Sequence, residues 1–87
     1  MGKIVFTENA FAEYLYWQSQ DKKTLRRINA LLKDLSRDSF DGIGKPEALK
    51  GDLSGYWSRR IDAGNRLVYR VCDDAIEVFQ CRGHYAD

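Results

Sequence analysis

The sequence predicts an α+β fold, with two helices packed on one face of a small, mostly antiparallel sheet in the order β-α-α-β-β-β. Three observations carry this expectation. Leu25, Ile28, Leu31, Leu32 and Leu35 recur at helical spacing. From Tyr56 onward the apolar period falls to two, which predicts strands over Tyr56 to Asp62, Arg66 to Cys72 and Ala75 to Cys81. Asp73-Asp74, between the last two strands, reads as a two-residue hairpin turn.

Taken in order, Lys3 to Phe6 is a short strand, and Thr7 is an N-cap for a helix running to about Ser19. Phe11, Tyr14 and Leu15, at i, i+3 and i+4, are its expected apolar positions. Asp21 can cap the second helix, whose basic residues Lys22, Lys23, Arg26, Arg27 and Lys33 occupy faces other than the leucine stripe. Ser39 to Pro46 is turn-rich and holds the only proline. Tyr16, Trp17, Tyr56 and Trp57 read as packing residues. With no repeat, low-complexity tract or linker, a single domain over residues 1–87 is expected.

Composition supports a packed core, because 44% hydrophobic and 13% aromatic residues exceed what a disordered chain carries. No apolar run approaches the ~20 residues of a membrane span. The start, Met1 to Phe6, is too short and too soon polar for a signal peptide. A cytoplasmic protein is expected. Cys72 and Cys81 do not suit a disulfide. If Cys72 sits at the hairpin mouth opposite Ala75, Cys81 lies about 20 Å further along the strand, whereas bridged Cα atoms lie within about 7 Å. Two thiols and one histidine also fall short of the usual four ligands of structural zinc.

A net charge of +1 conceals an uneven distribution. Lys22 to Arg37 holds six basic residues against Asp34 alone, and Lys45 to Arg70 holds six against Glu47, Asp52 and Asp62. Such a surface suits a polyanion, since phosphate neutralisation dominates non-specific nucleic-acid affinity. A merely solvated helix face explains Lys22 to Arg37 equally well.

The hairpin register extends the reading. A turn at Asp73-Asp74 sets Val71 opposite Ile76, Tyr69 opposite Val78, Arg70 opposite Glu77 and Arg66 opposite Cys81. Leu67, Tyr69, Val71, Ile76 and Val78 then lie under the helices. Arg66, Val68, Arg70, Glu77 and Phe79 take the open face, where Arg70 and Glu77 form a structural ion pair. A three-residue loop, Ala63-Gly64-Asn65, would pair Asp62 with Arg66, send Trp57 and Ile61 to the core and put Ser58 and Arg60 on the open face. Arg59 would then have to snorkel past apolar neighbours.

His84, the only histidine, follows this strand within a few residues and can exchange a proton near neutrality. A carboxylate, a histidine and arginines on one open face suit metal-free RNA cleavage. A base takes the 2′-OH proton, an acid protonates the leaving 5′-oxygen, and cations stabilise the phosphorane. The chain offers no carboxylate cluster for two-metal chemistry. A non-catalytic binding module would use the same basic residues, and an independent ribonuclease would act on naked RNA.

Several segments resemble one family over nearly the whole chain: Tyr14-Leu15-Tyr16-Trp17-Gln18, Gly44-Lys45-Pro46-Glu47, Leu53 to Ile61, Arg66-Leu67-Val68-Tyr69 and Cys81-Arg82-Gly83-His84-Tyr85. They are similar to the YoeB/Txe branch of the RelE/ParE toxin superfamily, the toxins of type II toxin–antitoxin modules. The resemblance implies a RelE-like, microbial RNase-like fold and an mRNA interferase that cleaves mRNA in the ribosomal A site without a cofactor or metal. It implies Glu47 as general base, His84 as general acid, Arg66 as phosphate and transition-state ligand, and Tyr85 as a substrate-positioning group. Lys50 and Arg60 would add positive potential, and Lys22, Lys23 and Arg26 would face ribosomal RNA. The implied partners are a YefM/Phd-type antitoxin, the ribosome and mRNA, with a homodimer left open. The chain departs from the family in Ala48, where relatives often carry proline, in Gly83, where an aromatic is common, and in Ala86-Asp87 beyond the His-Tyr pair.

Overall fold

The computed structural model describes residues 3–84. The chain runs β1 (Lys3–Phe6), α1 (Glu8–Gln20), α2 (Lys22–Arg37), β2 (Glu47–Ala48), a 3-10 turn (Gly51–Leu53), β3 (Trp57–Arg60), β4 (Arg66–Cys72) and β5 (Ala75–Gln80). The predicted order holds, with the two-residue β2 as an addition. The sheet order is β1-β5-β4-β3-β2. Among the described residues the β1–β5 pairing is parallel and the other three are antiparallel.

Both helices start on the expected caps. The Thr7 side chain accepts from the Ala10 amide, and the Asp21 carboxylate accepts from Lys23 and Thr24. Each satisfies backbone donors that have no partner inside the helix. The α2 stripe is buried as predicted, with Ile28, Leu31 and Leu35 fully inaccessible. On α1 the expected stripe holds only at Tyr14, which packs against the core. Phe11 and Leu15 are about half exposed, and the buried positions are Ala10 and Trp17. Ala10 lets the helix approach the sheet closely, and Trp17 gains a buried hydrogen bond from its indole N–H to the Cys81 carbonyl (2.8 Å). With Trp17 packed as expected, Phe11 and Leu15 are left on the outer side of the helix.

The core lies between the helices and the sheet face carrying Ile61, Leu67, Tyr69, Ile76, Val78 and Cys81. Val71, expected there, is 40% exposed, although Ile76 directly opposite it is in the core. Val71–Ile76, Tyr69–Val78 and Arg70–Glu77 pair as predicted, and Asp73 takes the left-handed backbone (φ +45°) that the tight turn requires.

Beyond Tyr69 the register changes. Val68 pairs with Gln80, so Phe79 is an extra residue in β5, a β-bulge. The bulge reverses the side-chain alternation, and Cys81 turns into the core instead of facing Arg66. Its amide donates to Glu13 (2.8 Å), its carbonyl accepts from Trp17, and its thiol lies 3.6 Å from the Ala10 carbonyl. Burial pushes the Cys81 thiol up to about 12, with the Glu13 carboxylate adding to the effect. Both cysteines are free thiols, as expected.

The β3–β4 connection is longer than predicted. Arg60 pairs with Arg66, and Asp62 lies in the connecting loop. A shift of two residues preserves alternation, so Trp57 and Ile61 still pack toward the core and Ser58 and Arg60 still share the other face. Val68 lies on that face but is fully buried, as is Ser58 beside it.

Candidate active site

Four strands place the candidate residues on the sheet face away from the helices. Glu47 pairs with Ser58, Ser58 with Val68, and Val68 with Gln80, which makes one row across β2, β3, β4 and β5. The next row toward the C-terminal end of β3 is Arg60 opposite Arg66. Glu47 and Arg66 stand two strands apart, roughly 10 Å between strand axes. Glu47, Lys50 and Arg60 are exposed and Arg66 is half-buried.

The approach to Glu47 is held by Gly44, whose carbonyl accepts from the Arg60 amide at 2.7 Å. At φ +81°, with the Leu31 side chain 2.8 Å from where a Cβ would stand, only glycine fits there. Lys50 lies three residues beyond Glu47, and its carbonyl accepts from the Leu53 amide in the 3-10 turn.

Arg59 does not snorkel. Its side chain is fully buried, and all five guanidinium donors are used. Nε donates to the Tyr69 hydroxyl (3.2 Å), Nη1 to Asp34 (2.7 Å) and the Ile43 carbonyl, and Nη2 to the Asp38 (2.6 Å) and Asp41 carbonyls. The Arg59 hydrogen bond, with the Ile43 amide, holds the Asp34 carboxyl below the ordinary aspartate value. This network ties the loop 38–43 to the sheet, just ahead of Glu47. Sequence reading missed it. Asp34, the lone acid on a basic helix, was the available signal.

The segment after β5 returns to the start of β4. The Arg66 amide donates to the Gly83 carbonyl (2.9 Å), which also accepts from the Gln80 side chain (3.0 Å). The Gly83 amide donates to the Asn65 side chain at 2.7 Å. The Arg82 guanidinium lies 3.7 Å from the centroid of the Tyr16 ring, a close cation–π contact. His84 is therefore carried next to Arg66 by a backbone hydrogen bond, through Gly83 and not through the predicted Cys81 pairing. His84 is exposed. Tyr85, together with the Ala86-Asp87 extension, lies outside the described residues.

Arg70 and Glu77 form the expected ion pair (2.7 Å), which raises the Arg70 guanidinium above its ordinary value. Tyr56 stacks near Phe79 and under Arg70. Lys22, Lys23 and Arg26 are exposed on α2, in the helical layer behind the sheet, and the fold does not bring them to Glu47 and Arg66. The Arg27 side chain reaches the Arg60 carbonyl at 3.1 Å. Among the described residues no helix is long and apolar enough to cross a membrane.

A small α+β sheet with a cationic, carboxylate-bearing open face is the general class these features define. Residues 6–85 match the family model described as the YoeB-like toxin of bacterial type II toxin–antitoxin systems. The chain is similar to Toxin YoeB of Synechocystis sp., 57% identical over 83 residues, covering 95% of this chain and 96% of that protein. A solved YoeB/ParE toxin from Agrobacterium tumefaciens superposes with a TM-score of 0.94 at 48% identity, covering 95% of this chain and 99% of that one. Staphylococcus aureus YoeB, 48% identical with a TM-score of 0.89, has been solved as a dimer (97% of this chain, 98% of that one) and in a heterotetrameric complex with YefM (98% and 99%). The chain belongs to the YoeB-like toxin family of type II toxin–antitoxin systems.

Proposed function

We propose that this toxin is a ribosome-dependent mRNA endonuclease, acting in the cytoplasm, whose reaction needs no metal. One observation carries the reading: Glu47, Arg60 and Arg66 share the open sheet face, and the His84 segment is hydrogen-bonded to the backbone of Arg66. Glu47 takes the proton from a 2′-OH, whose oxygen attacks the adjacent phosphorus. Arg66, with Arg60 beside it, stabilises the added negative charge of the phosphorane. His84 in its imidazolium form gives a proton to the departing 5′-oxygen, leaving a 2′,3′-cyclic phosphate. Tyr85 is assigned to positioning of the substrate, Lys50 to the local positive potential, and Lys22, Lys23 and Arg26 to ribosomal RNA.

The ribosome's contribution is orientation. In-line attack requires the 2′-oxygen, phosphorus and 5′-oxygen to be aligned, and holding that geometry replaces an entropic cost in the transition state. By analogy with the Staphylococcus aureus complex and dimer, the chain is assigned a YefM-type antitoxin as inhibitor and self-association as a dimer.

The test is cleavage of mRNA on purified ribosomes with the A site programmed. Glu47→Gln and His84→Gln are each expected to lower the rate by about 10²–10⁴, and Arg66→Ala by about 10²–10³. Parental rates in all three variants would remove the site assignment. Stalled ribosomes carrying intact mRNA would mean a binding module. Equal cleavage of naked RNA would mean a ribosome-independent enzyme.

A further inference from the structure

Asn65 occupies a position that the chemistry just described does not use. It is the last residue of the β3–β4 loop and directly precedes Arg66. Its Nδ2 donates to both carboxylate oxygens of Asp62, at 2.9 and 3.2 Å, and its Oδ1 accepts from the Gly83 amide at 2.7 Å. The amide orientation is determined by these partners. A flipped carboxamide would set an oxygen against a carboxylate and an NH₂ against an N–H.

Asp62 is itself anchored. Its Oδ1 also accepts from the Gly64 amide (2.9 Å), and its carbonyl accepts from Nη1 of Arg66 (3.1 Å). Gly83 is gripped from both sides, its N–H by Asn65 and its carbonyl by the Arg66 amide and Gln80. Gly83 needs that grip, because at φ +81° it adopts a backbone that only glycine enters freely, at a high entropic cost of ordering. The next residue is His84.

We propose that Asn65 is the positioning residue for the C-terminal imidazole. Oriented by Asp62, it locks Gly83 and thereby places His84 beside Arg66 for proton delivery. This inference rests on the endonuclease reading for its kinetic consequence but not for its structural one. It concerns a side chain that touches neither substrate nor reacting atoms.

The experiment measures single-turnover cleavage on programmed ribosomes, ribosome affinity, and backbone ¹⁵N relaxation at Gly83 and His84. Asn65→Ala is expected to lower the cleavage rate about tenfold or more, leave ribosome affinity within about twofold, and loosen the Gly83 and His84 amides. In a His84→Gln background, Asn65→Ala is expected to add nothing further, because its effect passes through the imidazole. An independent, multiplicative loss in that double variant would overturn the proposal, as would unchanged cleavage with unchanged relaxation. Should Asn65→Ala not fold, the exchange pair serves instead. Asn65→Asp alone sets two carboxylates together and loses activity, whereas Asp62→Asn with Asn65→Asp restores a donor facing an acceptor and recovers it. Failure of that recovery would also overturn the proposal. If the parent chain cleaves nothing, the endonuclease reading fails, while the relaxation data still decide the role of Asn65.

Discussion

Nη1 of Arg59 lies 2.7 Å from Oδ2 of Asp34, and the arginine side chain is wholly buried while the aspartate keeps 19% of its own exposed. The pair joins β3 to α2, and the three loop carbonyls on the same guanidinium join both to the segment ahead of Glu47. Removing one member of a buried pair leaves its partner uncompensated. Arg59→Met is expected to destabilise the fold by about 3 kcal/mol, at the low end for buried pairs because Asp34 retains some water. Urea unfolding checks the size. A loss within experimental error of zero would mean that the network contributes no net stability.

The same pair predicts a pH dependence with a definite sign. The folded-state pKa of Asp34 is held below its ordinary value of 3.8 by Arg59 and the Ile43 amide. Its contribution is therefore fully present above the unfolded value and is lost as pH falls through the folded one. The stability difference between parent and Asp34→Asn is expected to be flat from about pH 5 to 8. It should close as the solution is acidified below the ordinary aspartate value. Denaturant titrations of both proteins across that range supply the comparison, and a gap that widened in acid would contradict the assignment.

Arg60 and Arg66 stand directly opposite each other, and among the described residues neither has a carboxylate within 4.0 Å. Like charges facing across strands are destabilising. Arg60→Gln is therefore expected to raise stability by about 0.5 kcal/mol and to weaken binding to ribosomes and RNA. Thermal melts and salt-dependent binding read the two effects separately. A variant that loses stability would show that the face is not strained by its charge.

The thiols should differ sharply. Cys81 is fully buried with its thiol pushed up to about 12, whereas Cys72 is partly exposed. Because the thiolate is the reactive form, alkylation near pH 8 is expected to modify Cys72 quickly and Cys81 only on unfolding. Mass spectrometry of the labelled peptides settles the assignment. Fast labelling of Cys81 in the folded protein would contradict its place in the core.

Much of this was legible in the chain. The α2 stripe, the caps at Thr7 and Asp21, the Asp73-Asp74 turn and the Arg70–Glu77 pair depend on neighbours in sequence or on one hairpin's alternation. The errors arose where a distant contact outweighed the local pattern. Trp17 packs as expected, but Phe11 and Leu15 stay outside and Ala10 takes a buried place, because the sheet and Cys81 lie on the Ala10–Trp17 side of the helix. The bulge at Phe79 reversed the alternation of β5, since burying Cys81 and bonding its amide and carbonyl required one extra residue.

The sequence by itself determined the two helices, the strands β1 and β3 to β5 with their order, and the apolar face of α2. Periodicity and side-chain chemistry are local properties, and family resemblance attached roles to Glu47, Arg66, His84 and Tyr85. Tertiary structure alone decided that Arg60, not Asp62, faces Arg66, that Arg59 is buried on Asp34, and that Asn65 holds the tail bearing His84. Each of those depends on loop length, a bulge or a partner more than ten residues away in the chain, and it is packing, not pattern, that selects among the registers the pattern allows.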